Sequence, residues 1–243
     1  MLPNLPEEKV KKVIVDFRMS ENAKDTLKKL NINIISSANL SPLYNAVCGH
    51  PDMQIHHLGE NCFICEPTLY DYYKCKLNNI ILLKGKTVLT GKYPYDIAYN
   101  AVRVGKCVFH NLKYTDLSII EYYKTHGVKL INVKQGYTKC SVCVLTENSI
   151  ITSDRVIADI AEKYDIDALY YDSKDIKLYN IAHGFIGGIC GKIAPDILAV
   201  NGNIEYLSDF YKFVDFCEKY NIKILNLSND IPVDVGSIIP VCF

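Results

Sequence analysis

Three segments of this chain align on one another without a gap. From Gly49, Gly136 and Gly191 they read GHPDMQIHHLGENCFICEPT, GYTKCSVCVLTENSIITSDR and GKIAPDILAVNGNIEYLSDF. Each has an extended run, then a turn centred on Gly59-Glu60-Asn61, Thr146-Glu147-Asn148 or Asn201-Gly202-Asn203, then a second apolar run and a helix-starting cluster. The turn residues suit hairpins, and Ser153-Asp154 and Ser208-Asp209 suit helix N-caps. A looser copy starts at Pro94-Tyr95-Asp96 and turns at Gly105-Lys106. A fifth is split between the termini: Gly236 opens GSIIPVCF, and its second strand is VIVDF at the other end of the chain. After each copy comes a helix (ENAKDTLKKL, LYDYYKCKL, DLSIIEYYKTH, DRVIADIAEKY, SDFYKFVDFCEKY) and then a β-branched strand.

Five ββαβ units account for the whole length. One such unit cannot bury its apolar face alone, so the five are expected to fold together as one domain over residues 1–243. Sharing the last unit between the two termini predicts a closed, five-bladed pseudo-symmetric α/β-propeller, a form that hides sheet edges. A doubly wound α/β sheet is the rival for the same string of elements.

This architecture resembles the pentein superfamily of guanidine-modifying enzymes: arginine deiminases, amidinotransferases and dimethylargininases. The resemblance covers nearly the whole chain and rests on the repeat and the split closing unit, not on a matched catalytic motif. It implies a channel along the fivefold axis with a nucleophilic Cys on the closing strand, a His for acid–base work and carboxylates that hold the guanidinium. Cys242 is the thiol of the closing strand, although Gly236-Ser237-Ile238-Ile239-Pro240 puts a proline near the expected slot. His50-Pro51-Asp52 supplies an H-x-D pair, with His50 as acid–base and Asp52 as clamp. These implied roles make Cys242 and His50 the candidate catalytic residues.

If the segment after each anchor is a strand, alternate residues face opposite sides. One face then carries His50, Asp52 and Gln54; Tyr137, Lys139 and Ser141; Lys192 and Asp196; and Ser237. The other is mostly apolar and includes Cys140 and Cys242. The polar face is the expected lining, which makes Asp52, Tyr137, Lys139, Lys192 and Asp196 candidate substrate-binding residues. Lys139 and Lys192 are either neutralised by Asp52 and Asp196 or recruit an anion. The Gly-rich stretch His183-Gly184-Phe185-Ile186-Gly187-Gly188 reads as a crossing between units or a lid, with His183 at the site. It does not match a dinucleotide fingerprint.

Two C-x-x-C pairs, Cys62/Cys65 and Cys140/Cys143, raise zinc or redox chemistry as an alternative. On a strand, however, positions three apart point to opposite faces, so neither pair would converge on one metal. No metal or cofactor is therefore expected. With 27 basic and 27 acidic residues and no Lys/Arg run longer than two, the chain lacks the footprint of a nucleic-acid or membrane-surface binder. The N-terminus MLPNLPEEKVKK has no signal-peptide pattern, which predicts a cytoplasmic protein. The expected partner is a small polar molecule, a guanidino compound or an anion. The alternative is a non-catalytic ligand-binding or scaffold propeller, and exposed aromatic residues would suit self-association into a homo-oligomer.

Overall fold

The computed structural model describes residues 2–241. Its strands are β1 (Lys12–Val15), β2 (Asn33–Ser36), β3 (Ile55–Gly59), β4 (Cys62–Cys65), β5 (Ile81–Lys84), β6 (Val102–Val104), β7 (Cys107–His110), β8 (Lys129–Asn132), β9 (Val142–Thr146), β10 (Ser149–Thr152), β11 (Asp167–Tyr170), β12 (Cys190–Ala194), β13 (Ile197–Val200), β14 (Lys223–Asn226) and β15 (Ile239–Val241). They form five three-stranded sheets, here called blades. Four blades are consecutive in the chain: β3–β5, β6–β8, β9–β11 and β12–β14. The fifth joins the ends of the chain, with β15 antiparallel to β1 and β1 parallel to β2. In every blade an antiparallel pair is followed by a helical crossover to a parallel third strand, because a parallel pair needs a long return.

The crossovers are written locally in the sequence. Helix α1 (Glu21–Lys29) is capped by Ser20, whose hydroxyl accepts from Ala23 N at 3.3 Å, and it buries Ala23 and Leu27 one turn apart. Asp116 and Asp154 cap the helices Leu117–Thr125 and Arg155–Glu162 in the same way. Each return to the third strand passes through one residue at positive φ: Asn31, Asn79, Gly127, Asp165 and Asn221. Asn, Asp and Gly tolerate that left-handed conformation best, so this reversal recurs in all five blades.

The structure corrects the alignment in one respect. The fourth blade's hairpin turns at Pro195-Asp196, because Ala194 pairs with Ile197; Asn201-Gly202-Asn203 lies beyond β13. Gly184, not Gly191, is therefore the counterpart of Gly49 and Gly136. The slip is an odd number of residues, and it reverses the face assigned to each side chain of that strand.

A second correction concerns the segments after the anchors. Pro51–Gln54 and Thr138–Ser141 are single helical turns, α2 and α3, and Gly187–Ile189 is a 3₁₀ turn. Strict alternation does not apply to them, since neighbouring side chains in a helix diverge by about 100°. These turns meet at the centre. Asp52 N donates to Gly236 O (3.2 Å), joining the first blade to the fifth, and Ser237 N donates to Gly188 O (2.9 Å), joining the fifth to the fourth. Gly187 packs against the carbonyls of Lys139 and Val142, joining the fourth to the third. Lys139 N donates to Asn100 O (3.0 Å), and Asn100 Nδ2 to Asp52 O (3.2 Å), which returns through the second blade to the first. The contacts run once around the five blades.

Candidate functional site

Where the helical turns meet, polar side chains are buried together. His50 is the residue before α2, with Pro51 as the first helical residue, so Asp52 follows at once in the first turn. Asp52 Oδ2 accepts from Ser237 Oγ at 2.8 Å and from Cys140 Sγ at 3.1 Å. Lys139 Nζ donates to Ser237 Oγ at 2.8 Å, so the ammonium reaches the carboxylate through the hydroxyl. Ser237 is held at φ 73°, a left-handed conformation uncommon for a residue with a side chain. Asn100 ties the group together: its Oδ1 accepts from Lys139 N (2.9 Å), and its Nδ2 lies 3.2 Å from Cys140 Sγ.

Asp234 approaches from the fifth blade. Its carboxylate accepts from Gly236 N and Phe185 N, both at 2.9 Å, and lies 3.8 Å from His50 Nδ1. Burial pushes the Asp234 carboxyl above its ordinary value, against the opposing effect of His50. Burial also pushes the Cys140 thiol up, and the charges of Asp52 and Asp234 push it further. Neither ring nitrogen of His50 has a hydrogen-bond partner among the described residues, and neither does Asp52 Oδ1. Orphaned polar atoms at this depth are unusual in a native core.

A cavity of about 210 Å³ opens on this group. The deeply buried His50, Cys140 and Asp234 form its floor, and Tyr44, Tyr137, Leu178, Ile181, His183 and Phe185 line it further. The Tyr137 hydroxyl donates to Asp96 Oδ2 (2.7 Å) and lies 3.1 Å from the Tyr44 hydroxyl. Leu178 and Ile181 belong to a strap anchored where Lys177 pairs with Val233.

The structure thus brings His50, Asp52 and Lys139 to one centre and lines the adjoining cavity with Tyr137 and His183. It does not bring Lys192 or Asp196 there. The Lys192 ammonium is buried among the carbonyls of Leu145 (3.0 Å) and Pro195. Asp196 is on the exposed hairpin turn, 3.8 Å from Lys223. Both displacements follow from the slip in the fourth blade. Cys242 lies outside the described residues.

Asp234, Asn100 and Cys140 are the residues that sequence reasoning missed. Cys140 falls on the wrong face only if its segment is a strand; the helical turn lets Lys139 point to Ser237 while Cys140 points to Asp52. The C-x-x-C pairs do not converge. Cys143 packs in a different cluster with Cys190 and Cys217, and Cys62 and Cys65 are buried in β4, where burial and Glu66 push the Cys65 thiol up to about 12. Asp234 lies two residues before the Gly236 anchor, outside the aligned segments, which begin at their anchors.

Residues 14–239 match the profile of a family of unknown function (DUF6873), and the chain belongs to that family. A comparison with curated proteins finds no match. Among solved structures the chain is similar to the inosamine-phosphate amidinotransferase of Streptomyces griseus, with 11% identity, 98% of this chain and 95% of that one covered, and a TM-score of 0.58. It is similar to a cysteine-to-serine mutant of the DDAH from Pseudomonas aeruginosa complexed with citrulline, with 8% identity, coverage of 91% and 93%, and a TM-score of 0.56. It is also similar to the agmatine deiminase of C. jejuni, with 9% identity, coverage of 93% and 89%, and a TM-score of 0.52. At these identities the likeness establishes the pentein fold and nothing finer. No helix among the described residues is long and apolar enough to cross a membrane.

Proposed function

We propose that the central cavity binds a small molecule through a cationic guanidino or amidino group, and that Cys140 is the thiol presented to that group. The observation that carries this reading is the floor of the cavity, where a buried thiol and a buried imidazole lie beside the carboxylate of Asp234, with Asp52 directly behind. A guanidinium matches carboxylates by paired, charge-assisted hydrogen bonds. Lys139 is turned away into its bond with Ser237, and Lys192 is remote, which favours a cationic ligand over an anion. The solved structures of similar fold include a DDAH, an amidinotransferase and an agmatine deiminase, and the DDAH is complexed with citrulline.

The arrangement suits thiol chemistry at the guanidinium carbon. Cys140 Sγ would give up its proton to His50 and bond to that carbon, and the displaced amine would leave with the His50 proton. Water would then break the carbon–sulfur bond, giving a ureido product and restoring the thiol, or an acceptor amine would take the amidino group instead.

The test is a thermal-shift and product screen with arginine, agmatine and methylarginines, run on metal-free wild type and on Cys140→Ser, Cys242→Ser and Asp234→Asn. Stabilisation by a guanidino compound, lost in Asp234→Asn, is the expected result. Turnover to a ureido product that Cys140→Ser abolishes and Cys242→Ser preserves assigns the thiol to Cys140; the reverse pattern moves it to Cys242. Stabilisation without turnover leaves a binding protein. No stabilisation by any guanidino compound overturns the reading.

A further inference from the structure

We propose that His50, Asp52 and Cys140 form a binding site for one zinc-class dication. The imidazole, the carboxylate and the thiol each place one ligand atom within 4.8 Å of the other two, and all three residues are buried. Zinc takes this mixture of nitrogen, oxygen and sulfur, with bonds of roughly 2.0 to 2.3 Å, so tetrahedral ligand atoms stand roughly 3.3 to 3.8 Å apart. Closing the observed triangle to that size asks for a side-chain movement on the order of 1 Å. Hard-cation sites for magnesium or calcium use oxygen alone and do not suit a thiol and an imidazole.

A second, independent observation points to an ion. His50 is 1% exposed, yet both its ring nitrogens lack a hydrogen-bond partner among the described residues; Asp52 Oδ1, in a side chain equally buried, lacks one there too. A dication would satisfy the Asp52 oxygen and one of the nitrogens. The surroundings already have the form that supports metal ligands. Asp234 stands 3.8 Å from His50 Nδ1, as the carboxylate that orients a ligating imidazole. Ser237 holds Asp52 by its other oxygen, and Asn100 Nδ2 sits 3.2 Å from Cys140 Sγ. Binding would exchange the Cys140 proton, now directed at Asp52, for the metal: an S–H bond breaks, an S–metal bond forms, and one proton goes to buffer. That exchange adds one net positive charge to a pocket holding two carboxylates and one ammonium.

Three protein ligands leave a fourth position open. It faces the cavity floored by His50, Cys140 and Asp234, where water or a small ligand can complete the coordination. The metal and a guanidinium both require Cys140, so they exclude one another. The inference uses the same side chains as the guanidino reading but does not depend on it.

The experiment uses the full chain with Cys75→Ser, which removes the exposed thiol among the described residues, stripped of metal under reducing conditions. Zinc is titrated by calorimetry and against a chromogenic chelator, and cobalt is added as a spectroscopic probe, with no organic ligand present. The expected result is one ion per chain, a thiolate-to-cobalt charge-transfer band and proton release. Affinity should fall at least about tenfold in Cys140→Ser and His50→Gln, and by about tenfold in Asp234→Asn. Circular dichroism of each variant separates lost ligation from lost fold, and Asp234→Asn remains as a test if a ligand variant does not fold. Zinc retained unchanged in the folded variants, a cobalt spectrum without the thiolate band, or no saturable binding by wild type overturns the proposal. A guanidino screen that fails while zinc binds, or the reverse, tells the two readings apart.

Discussion

Cys140 and Asp52 are 88 residues apart and on different blades, yet the thiol donates to the carboxylate at 3.1 Å. The bond exists because two helical turns meet at the centre, one from the first blade and one from the third. It also fixes the resting state of the thiol. Burial and two nearby carboxylates disfavour a thiolate, so the unliganded protein holds Cys140 protonated. Native alkylation with iodoacetamide at neutral pH, mapped by mass spectrometry, should modify exposed Cys75 first and Cys140 far more slowly, the rate following thiolate fraction and access. Equal rates at the two thiols would contradict this account of the centre.

The Lys139–Ser237–Asp52 relay predicts a difference between two buried lysines. Lys139→Met keeps the packing volume but strips Asp52 of the ammonium that reaches it through Ser237, and breaking a buried ionic arrangement on one side costs about 3 kcal/mol or more. Lys192→Met leaves only carbonyl oxygens without their donor, at about 1–2 kcal/mol. Urea unfolding midpoints at pH 7 should rank wild type above Lys192→Met and Lys192→Met above Lys139→Met. The reverse order would mean that the relay does not hold the centre together.

Two glycines set the floor of the cavity. A Cβ at Gly188 would overlap the Asp234 carboxylate, and one at Gly236, already at φ 66°, would run into the His50 side chain. Gly188→Ala should push Asp234 out of register with His50 and cost about 1–3 kcal/mol through overpacking. It should also abolish the stabilisation by guanidino compounds expected of wild type. A variant with wild-type melting temperature and wild-type ligand response would mean that Asp234 has room the structure does not give it.

The fold was legible because it repeats: the hairpin turns at Glu60-Asn61 and Glu147-Asn148, the Asp154 cap and the split closing blade are all local patterns that recur. The centre was only half legible, for a physical reason. His50, Asp52 and Lys139 lie beside repeat anchors and could be picked out by alignment. The face of each side chain, however, was inferred from a strand period of two where the chain makes a helical turn, so Cys140 went to the wrong side. In the fourth blade the odd slip carried Lys192 and Asp196 away from the centre. Asp234 and Asn100 reach it through contacts between blades, with Phe185 and His50 for the first and with Asp52 and Lys139 for the second.

Three buried histidines predict how stability depends on pH. His110 is held neutral between the Thr115 hydroxyl (2.6 Å) and Gly136 O (2.9 Å), and its pKa falls to about 4 through burial. Burial also lowers His57 to about 4 and His56 to about 3, the latter with further repulsion from His57. In the unfolded chain each titrates near 6.5. Below that value the unfolded state binds protons that the folded state refuses, so stability is complete above about pH 7 and is lost as pH falls towards 4. Each histidine contributes a loss of about 2 kcal/mol between pH 7 and pH 5. Asp96 and Asp234, whose carboxyls burial pushes upward, act in the opposite sense because the folded state holds their protons more tightly. The histidine share is isolated by His110→Gln, which keeps a donor and an acceptor but cannot titrate. Denaturant unfolding at pH 7 and pH 5 should show a loss smaller by about 2 kcal/mol in the variant than in wild type. An identical loss in both proteins would mean that His110 is protonated in the folded state.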